Sequence, residues 1–406
     1  MKEDAVPSLF AWSPDDSAKR KSPRKRLFNQ SPSINDSAPD NEIEGVNYRN
    51  EGDSLPTELE KLTALNQKLM NENGELHESM GKLISNQFGI EKFKESDADI
   101  NFYTGFPKYE TLWSCYIFLN PGENGENIVY VTASNSSSEF QLQPSLISDE
   151  TPKQGRKRKL STLNEFFMVL VRLRLGLFEQ DLAHRFGVHK STVNRICTSW
   201  VNFMYLKFGY INIWPTREMV DQAMPLSFKD KFPKTRVIID CTEIKCQTPS
   251  SLVLHSETYS SYKSHTTFKG LVGIAPSGHV TFISQLYTGS ISDREITVRS
   301  GLLKLPFDKG DVLMADKGFT NEDLLEPIGV KLNIPPFVGS QSQHTAAEVI
   351  ATQEIASERI HVESAINKIK NFQILNQVIP ISIAGSINQM WTVCAMLTNL
   401  QNPIIT

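Results

Sequence analysis

The chain has 406 residues and a formal net charge of −4, so it is long enough for two or three domains and is not a polycation. Any affinity for nucleic acid must therefore come from local clusters of Lys and Arg. The five scattered cysteines form no paired zinc spacing and no disulfide framework, which indicates reduced thiols. The sequence has no apolar signal region and no uncharged span of about 18 residues, so we expect a soluble protein inside the cell.

Residues 1–54 are rich in Ser, Pro, Asp and Asn and poor in aliphatic side chains. Such a segment cannot bury enough apolar surface to offset the entropy of ordering, so the sequence predicts a disordered basic tail. The tail contains KRKSPRKR at 19–26, a candidate nuclear-import signal or phosphate-binding patch. A merely solvated run of charge is the alternative. If this run is a nuclear-import signal, we expect the protein in the nucleus.

Leucine recurs every seven residues within the segment 55–92, which predicts a coiled coil. The leucines occupy the d positions of the heptad: Leu55, Leu62, Leu69, Leu76 and Leu83. Two a positions hold Asn66 and Asn73, and a buried Asn at a favours a parallel homodimer because it pairs in one register only. A single amphipathic helix packed on the rest of the chain is the alternative, since Gly74 and Gly81 weaken the helix.

Residues 98–232 are predicted to form a helical domain that contains a helix-turn-helix at 160–208. Its expected core consists of apolar side chains at helical spacing, with a glycine at the turn: Leu182, Phe186, Gly187, Val193 and Ile196. The second helix, with Ser191 or Thr192 at its start, is expected to contact double-stranded DNA through Lys190, Asn194 and Arg195. The run GRKRK at 155–159 is a candidate phosphate or minor-groove contact. An ordinary helical hairpin is the alternative.

The residue pattern changes again at 234, and the segment 234–403 is predicted to form a separate domain of α/β class. Strands are indicated by TRVIIDCTEIKCQ, TTFKGLVGIAP, HVTFISQLYTG and DVLMADKGF, and a helix capped at Ser292 or Asp293 by GSISDREITVRSGLL. Three strands, a helix, a strand and then helices suggest a ribonuclease H-like mixed sheet with flanking helices. The helix-turn-helix domain, the coiled-coil segment and the disordered tail precede this sheet.

Three carboxylates suggest the chemistry of this segment. Asp240 and Asp316 lie in or at the end of apolar, β-branched runs, and Glu363 lies in a helical stretch. Carboxylate oxygens are ligands that Mg²⁺ prefers, and two metal ions activate a nucleophile and stabilise a leaving oxygen at a phosphodiester. We therefore expect Asp240, Asp316 and Glu363 to be the catalytic residues and the metal ligands, with two ions of Mg²⁺ or Mn²⁺.

Arg359, Glu363 and Lys370 are separated by four and seven residues, so they share one face of the predicted helix. Two cations flanking a carboxylate suit a metal ligand that a DNA backbone approaches, so Arg359 and Lys370 are candidate DNA contacts. An ion-pair ladder on a surface helix would show the same spacing. Glu243, three residues after Asp240, should point to the opposite face of its strand, where we expect a structural role.

The motifs IIDCTEI, YSSYKSHTTFKGLVGIAPSGHVTFIS, YTGSISDREI, MADKGF, LNIPPF and RIHVESAINKIKNF together resemble the DDE-superfamily transposases of the Harbinger-type and insertion-sequence-like group. The resemblance covers about residues 100–403 and extends to animal proteins that join a THAP zinc finger, a helix-turn-helix and a DDE domain. No Cys/Cys/Cys/His set stands near the start of the sequence, so no THAP finger is expected.

The resemblance implies that the family's two aspartates fall on Asp240 and Asp316. It also implies that the Glu of its Arg-x₃-Glu-x₆-Lys motif falls on Glu363. Asp293 belongs to another family motif and is a candidate either for a residue that supports the metal ligands or for the second carboxylate itself. Asp316 is preferred because it ends a central strand.

Three functions remain open at this point. The first is a transposase-derived DNA endonuclease that uses two metal ions. The second is a domesticated, catalytically silent nuclear protein that binds DNA or acts as an adaptor. The third is a transcription regulator that dimerises through the leucine heptad. This function would give Asp240, Asp316 and Glu363 no role.

Overall fold

The computed structural model describes residues 55–128, 158–336 and 346–404. The predicted disordered tail, its basic run at 19–26 and the beginning of the run at 155–159 lie outside the described residues. The chain divides into two compact units, and the boundary falls between Asn86 and Gln87.

The described part of the first unit is a single helix of 32 residues, α1 (Leu55–Asn86). It contains the predicted leucine heptad. The described side chains of the a and d seam are between 47% and 69% exposed, namely Leu59, Leu62, Leu69, Leu76 and Met80. The helix ends at Asn86, inside the predicted segment 55–92, and the following Ile90 is buried in the second unit.

The second unit begins with helices that include the predicted helix-turn-helix. They are α2 (Ile90–Phe93), α3 (Asp97–Thr104), α4 (Tyr109–Leu119), α5 (Thr162–Leu175), α6 (Glu179–Arg185), α7 (Lys190–Gly209), α8 (Arg217–Gln222) and α9 (Leu226–Lys231). Ser161 caps α5, because its hydroxyl accepts a hydrogen bond from the Asn164 N–H at 3.2 Å.

The helix-turn-helix is formed by α6 and α7, which pack against each other and, through α7, against α5. Its predicted apolar core is confirmed, because all four side chains are at most 5% exposed: Leu182, Phe186, Val193 and Ile196. Gly187 has a positive φ of 61°, as the predicted turn requires. Ser191 and Thr192 lie in the first turn of α7, as predicted; the helix begins at Lys190, and the His189 ring caps it by accepting from the Ser191 N–H.

Seven strands form one mixed sheet in the described part of the chain. They are β1 (Thr235–Lys245), β2 (Tyr259–Ser260), β3 (His265–Ile274), β4 (Val280–Ile283), β5 (Tyr287–Thr288), β6 (Val312–Met314) and β7 (Lys331–Asn333). The order is β2-β3-β1-β6-β7, and β4 and β5 pair with β3. β1 is antiparallel to β3 and parallel to β6, which is in turn parallel to β7. The predicted ribonuclease H-like mixed sheet is therefore confirmed.

The run HVTFISQLYTG was predicted as one strand, and the structure divides it into β4 and β5. The division falls at Ser284, whose hydroxyl accepts the Leu271 N–H of β3 at 2.8 Å. That side-chain bond replaces a rung of the backbone ladder, so the strand is interrupted there.

Helices cover both faces of the sheet. They are α10 (Leu252–Thr258), α11 (Asp293–Arg299), α12 (Glu322–Leu325), α13 (Ala346–Lys370), α14 (Gln373–Asn376) and α15 (Ala384–Thr398). On one face, Val237 and Ile239 of β1 join a buried core with Ile296 of α11. The opposite face of β1 carries Ile238 and Ile244, and α13 packs against β1. None of the described helices is both long and apolar enough to cross a membrane.

Candidate metal-dependent nuclease site

The three predicted carboxylates come from three elements of the second unit. Asp240 lies in the middle of β1, on the same strand face as the buried Ile238 and therefore on the side where α13 packs. Asp316 follows the end of β6 by two residues and is exposed. Glu363 lies on α13 and is also exposed.

Arg359 joins two of these carboxylates. Its Nη1 lies 3.1 Å from Asp316 Oδ1, and its Nη2 lies 3.8 Å from Glu363 Oε1. The Arg359 side chain is only 12% exposed, whereas those of Asp316 and Glu363 are 52% and 55% exposed. Arg359 lies on α13 together with Glu363, so its guanidinium links this helix to the turn after β6.

The charge of the third carboxylate is affected by the other two. Burial, together with the neighbouring charges of Asp316 and Glu363, raises the pKa of Asp240 to about 6. The Arg359 guanidinium and the Cys241 N–H, which donates to Asp240 Oδ1 at 2.8 Å, oppose that rise in pKa. Three carboxylates and one arginine thus form a single electrostatic cluster.

Lys370, the last member of the predicted helix face, lies beside the same cluster. Burial is the main cause that lowers the pKa of its ammonium group, and the nearby charges of Asp240 and Glu243 oppose it. The predicted common face of Arg359, Glu363 and Lys370 is thus turned toward the carboxylate-bearing end of the sheet.

Asp293, the rival second carboxylate, lies on the other side of β1. Its Oδ1 is 2.7 Å from Lys269 Nζ, and burial together with the charge of Asp293 raises the pKa of the Cys241 thiol. The neighbouring carboxylates that raise the pKa of Asp240, in addition to its burial, are Asp316 and Glu363. A Cβ on Gly318 would stand 3.2 Å from Asp293 Oδ2, so Asp293 lies against the turn that follows Asp316. This position suits a residue that supports the Asp316 turn.

Glu243 occupies the strand face that its spacing from Asp240 predicts. Its carboxylate accepts hydrogen bonds from Ser260 Oγ at 3.0 Å and from Thr267 Oγ1 at 2.7 Å. Both oxygens of the Glu243 carboxylate therefore have a hydrogen-bond partner within the fold, in agreement with the expected structural role.

The donor chemistry of the cluster fits a hard divalent cation. All three side chains offer carboxylate oxygens, which are the ligands that Mg²⁺ and Mn²⁺ prefer. Among the described residues, however, no three His, Cys, Asp or Glu side chains lie close enough together to hold a metal ion. Arg359 stands between Asp316 and Glu363, so a shared ion requires these half-exposed side chains to turn away from it.

The expected DNA-contacting residues lie at the beginning of α7. Lys190, Asn194 and Arg195 are all exposed. Asn194 Nδ2 donates to Glu179 Oε1 of α6 at 3.0 Å, so it is held against the first helix of the motif. Lys190 and Arg195 are therefore better placed than Asn194 to meet DNA without rearrangement.

The described end of the basic run at 155–159 is used by the fold. Arg158 pairs with Glu165, which is buried in α5 and also accepts from Trp200 Nε1 at 3.0 Å. The candidate phosphate contact of this run therefore does not include Arg158, whose guanidinium also donates to the carbonyls of Asn124 and Gly125.

Comparison with known families agrees with this arrangement. Residues 239–399 match the family described as DDE superfamily endonuclease. Residues 158–209 match the family described as helix-turn-helix of DDE superfamily endonuclease. No curated protein and no solved structure matches the chain. The two matches therefore assign the sheet-containing part of the chain to the DDE superfamily endonucleases and the helices before it to the helix-turn-helix of that superfamily.

Proposed function

We propose that the protein is a transposase-derived, metal-dependent endonuclease that cuts phosphodiester bonds of double-stranded DNA. The observation that carries this proposal is the meeting of Asp240, Asp316 and Glu363, from a strand, a turn and a helix, around Arg359. Burial is the main cause that raises the pKa of Asp240, and the charges of Asp316 and Glu363 add to it, so a structural role alone gives no reason to place these three carboxylates near one another.

The three carboxylates would hold Mg²⁺ or Mn²⁺, with two ions serving the reaction. The ions would supply Lewis-acid activation of the nucleophile and neutralise charge on the leaving oxygen. With Asp316 and Glu363 holding an ion, Arg359 would no longer be needed to neutralise them. Together with Lys370 it can then pair with the DNA phosphates on either side of the cut.

The helix-turn-helix would provide the affinity for DNA, with Lys190 and Arg195 at the major groove. Asn194 would reach a base only after exchanging its bond to Glu179. We place the protein in the nucleus on the basic run at 19–26, and replacing its Lys and Arg residues by Ala in a fluorescent fusion tests this. An unchanged nuclear signal would count against it.

Self-association through α1 forms part of the proposal. Its seam of leucines is exposed, and Asn66 and Asn73 occupy a positions at which a parallel partner satisfies them. A dimer would present two nuclease sites and two helix-turn-helix motifs to one DNA molecule.

The test of the nuclease function is nicking of supercoiled plasmid DNA with Mg²⁺ by the full-length protein. The wild type should nick, and Asp316→Ala should lose nicking while it retains DNA binding. Glu322→Gln, an exposed acid nearby on α12, is the matched control and should nick normally. A wild type that binds DNA but does not nick under Mg²⁺ or Mn²⁺ would instead support the catalytically silent DNA-binding protein.

A further inference from the structure

The turn between β2 and β3, near the carboxylates of the nuclease site, carries an aromatic ring that is exposed to solvent. Residues 261–264 connect β2 to β3, and Ser264 has a positive φ of 56°. Tyr262 in this turn is 83% exposed. The Lys263 Nζ lies 4.6 Å from the centroid of the Tyr262 ring, so the ring already carries a cation on one side.

The turn is fixed to the strand that bears Asp240. Glu243 accepts from Ser260 Oγ and Thr267 Oγ1, and Ser260 Oγ in turn accepts from the Lys263 N–H at 3.3 Å. Glu243 is three residues beyond Asp240, about 10 Å along β1. The Glu243 carboxylate holds Ser260, and Ser260 holds the Lys263 N–H. These two hydrogen bonds therefore fix the turn to the strand that also carries Asp240.

Three lysines lie near one another beside this turn. Lys245 at the end of β1 and Lys263 in the turn both lie close enough to Lys370 to lower the pKa of its ammonium group. In the part of the chain that the structure describes, none of the three makes an ion pair. Like charges held together destabilise the fold, and an anion with several negative groups would relieve the repulsion.

We infer that the 261–264 turn holds an unpaired nucleotide next to the cut. In this arrangement Tyr262 stacks on the base, while Lys245, Lys263 and Lys370 pair with the adjoining phosphates. The inference rests on the proposed nuclease function and adds the place where a strand end is held. An exposed ring beside clustered cations suits single-stranded nucleic acid, because every base offers a face for stacking and every nucleotide a charge.

An acidic peptide would form ion pairs with the lysines but would offer no base to stack on Tyr262. In intact duplex DNA the bases are already stacked on one another, so none has a free face for the ring. The ring stands beside the lysines in the turn that Glu243 holds, so base and phosphates can be engaged at neighbouring points along one chain.

The experiment compares binding of the full-length protein to two probes in EDTA, where no cleavage occurs. One probe is a blunt duplex of mixed sequence, and the other is the same duplex with a short forked end carrying 5-iodouracil. Tyr262→Ala should weaken binding to the fork by about tenfold and leave the duplex unchanged. Tyr262→Phe keeps the ring and should behave as wild type. Irradiation of the wild type should crosslink iodouracil to the peptide that contains Tyr262.

Tyr210, which is 71% exposed at the end of α7, supplies the matched control, and Tyr210→Ala should bind both probes normally. Lys263→Ala should weaken binding to the fork and lower its dependence on salt by about one counterion. An unchanged ratio of fork to duplex affinity in Tyr262→Ala, or a crosslink that falls elsewhere, would overturn the inference.

The two proposals fail separately. If the wild type does not cut in Mg²⁺ but crosslinks through Tyr262, the turn binds nucleic acid and only the nuclease function is lost. If the wild type cuts and Tyr262→Ala binds the fork equally well, only the inference about the turn is overturned.

Discussion

Arg359 Nη1 lies 3.1 Å from Asp316 Oδ1, and this contact ties α13 to the turn after β6 although the two residues are 43 positions apart. The same guanidinium reaches Glu363 one helical turn away. Arg359 therefore supplies positive charge at the place where the proposed function requires a divalent cation. In this account Arg359 neutralises Asp316 and Glu363 when no metal is bound, and the metal ions would neutralise them when bound.

Replacement of Arg359 should make the protein depend on metal for part of its stability. Arg359→Ala leaves Asp316 and Glu363 without their cation, so in EDTA the free energy of unfolding should fall by about 1 kcal/mol, as for other partly exposed ion pairs. Mg²⁺ should restore most of the loss. Urea denaturation with and without Mg²⁺ measures both effects, and Arg299→Ala, which breaks an ion pair with Glu295 on α11, is the control. A loss that Mg²⁺ leaves unchanged would count against shared neutralisation.

The raised pKa of Asp240 predicts a pH dependence of stability in the absence of metal. Its pKa is about 6 in the folded protein, against 3.8 for an unperturbed aspartate. The folded state therefore binds the proton more tightly, so stability falls as the pH rises from about 4 to about 6 and this contribution then stays constant. Asp240→Asn removes the cost of the buried charge and should be about 2 kcal/mol more stable at pH 7.5 in EDTA.

The same variant should match the wild type near pH 4, where Asp240 is protonated, and Mg²⁺ should stabilise the wild type more than the variant. Asp230→Asn, at an exposed position on α9, is the control and should show no such pH dependence. If Asp240→Asn proves less stable than the wild type at pH 7.5 in EDTA, the electrostatic account of the site is wrong.

Arg195 should contribute to DNA affinity through the first turns of α7. Arg195→Ala should weaken binding by about 1–3 kcal/mol if it reads a base, and the loss should be confined to particular sequences. Lys207, at the far end of the same helix, is the control, and Lys207→Ala should leave binding unchanged. Selection of bound sequences from a random pool distinguishes base reading from a phosphate contact. Equal binding by the Arg195 variant and the wild type would contradict the placement of α7 on DNA.

The seam of α1 should determine the oligomeric state. Leu62→Glu combined with Leu69→Glu puts charge at two d positions and should convert a dimer of the full chain into a monomer. Asn71→Glu lies on the outer side of the helix and should leave the dimer intact. Analytical ultracentrifugation measures both, and a monomeric wild type would exclude dimerisation through α1.

Residues that follow from local periodicity were predictable from the sequence. The period of two along β1 placed Asp240 and Glu243 on opposite faces, and the structure agrees. Spacing and a single glycine were enough for the helix-turn-helix, because its core is formed by residues close in the chain and Gly187 adopts the positive φ that its turn needs.

Features that depend on contacts distant in sequence were not predictable. The pairing of Arg359 with Asp316 and the approach of Lys263 to Lys370 each join separate elements. Glu243 was correctly placed but its use was missed, since nothing local indicates that Ser260 and Thr267 return to it. The break between β4 and β5 was missed because a side-chain hydroxyl, Ser284, replaces a backbone rung.

The central claim is that Asp240, Asp316 and Glu363 hold metal together, and iron-mediated cleavage of the protein tests it most directly. Fe²⁺ bound in place of Mg²⁺ generates hydroxyl radicals with ascorbate and peroxide, and these cut the polypeptide close to the ion. We expect cuts near all three residues, which excess Mg²⁺ suppresses and which Asp316→Ala greatly reduces. Cuts at other positions, or cuts at these three that Mg²⁺ does not suppress, would contradict the account.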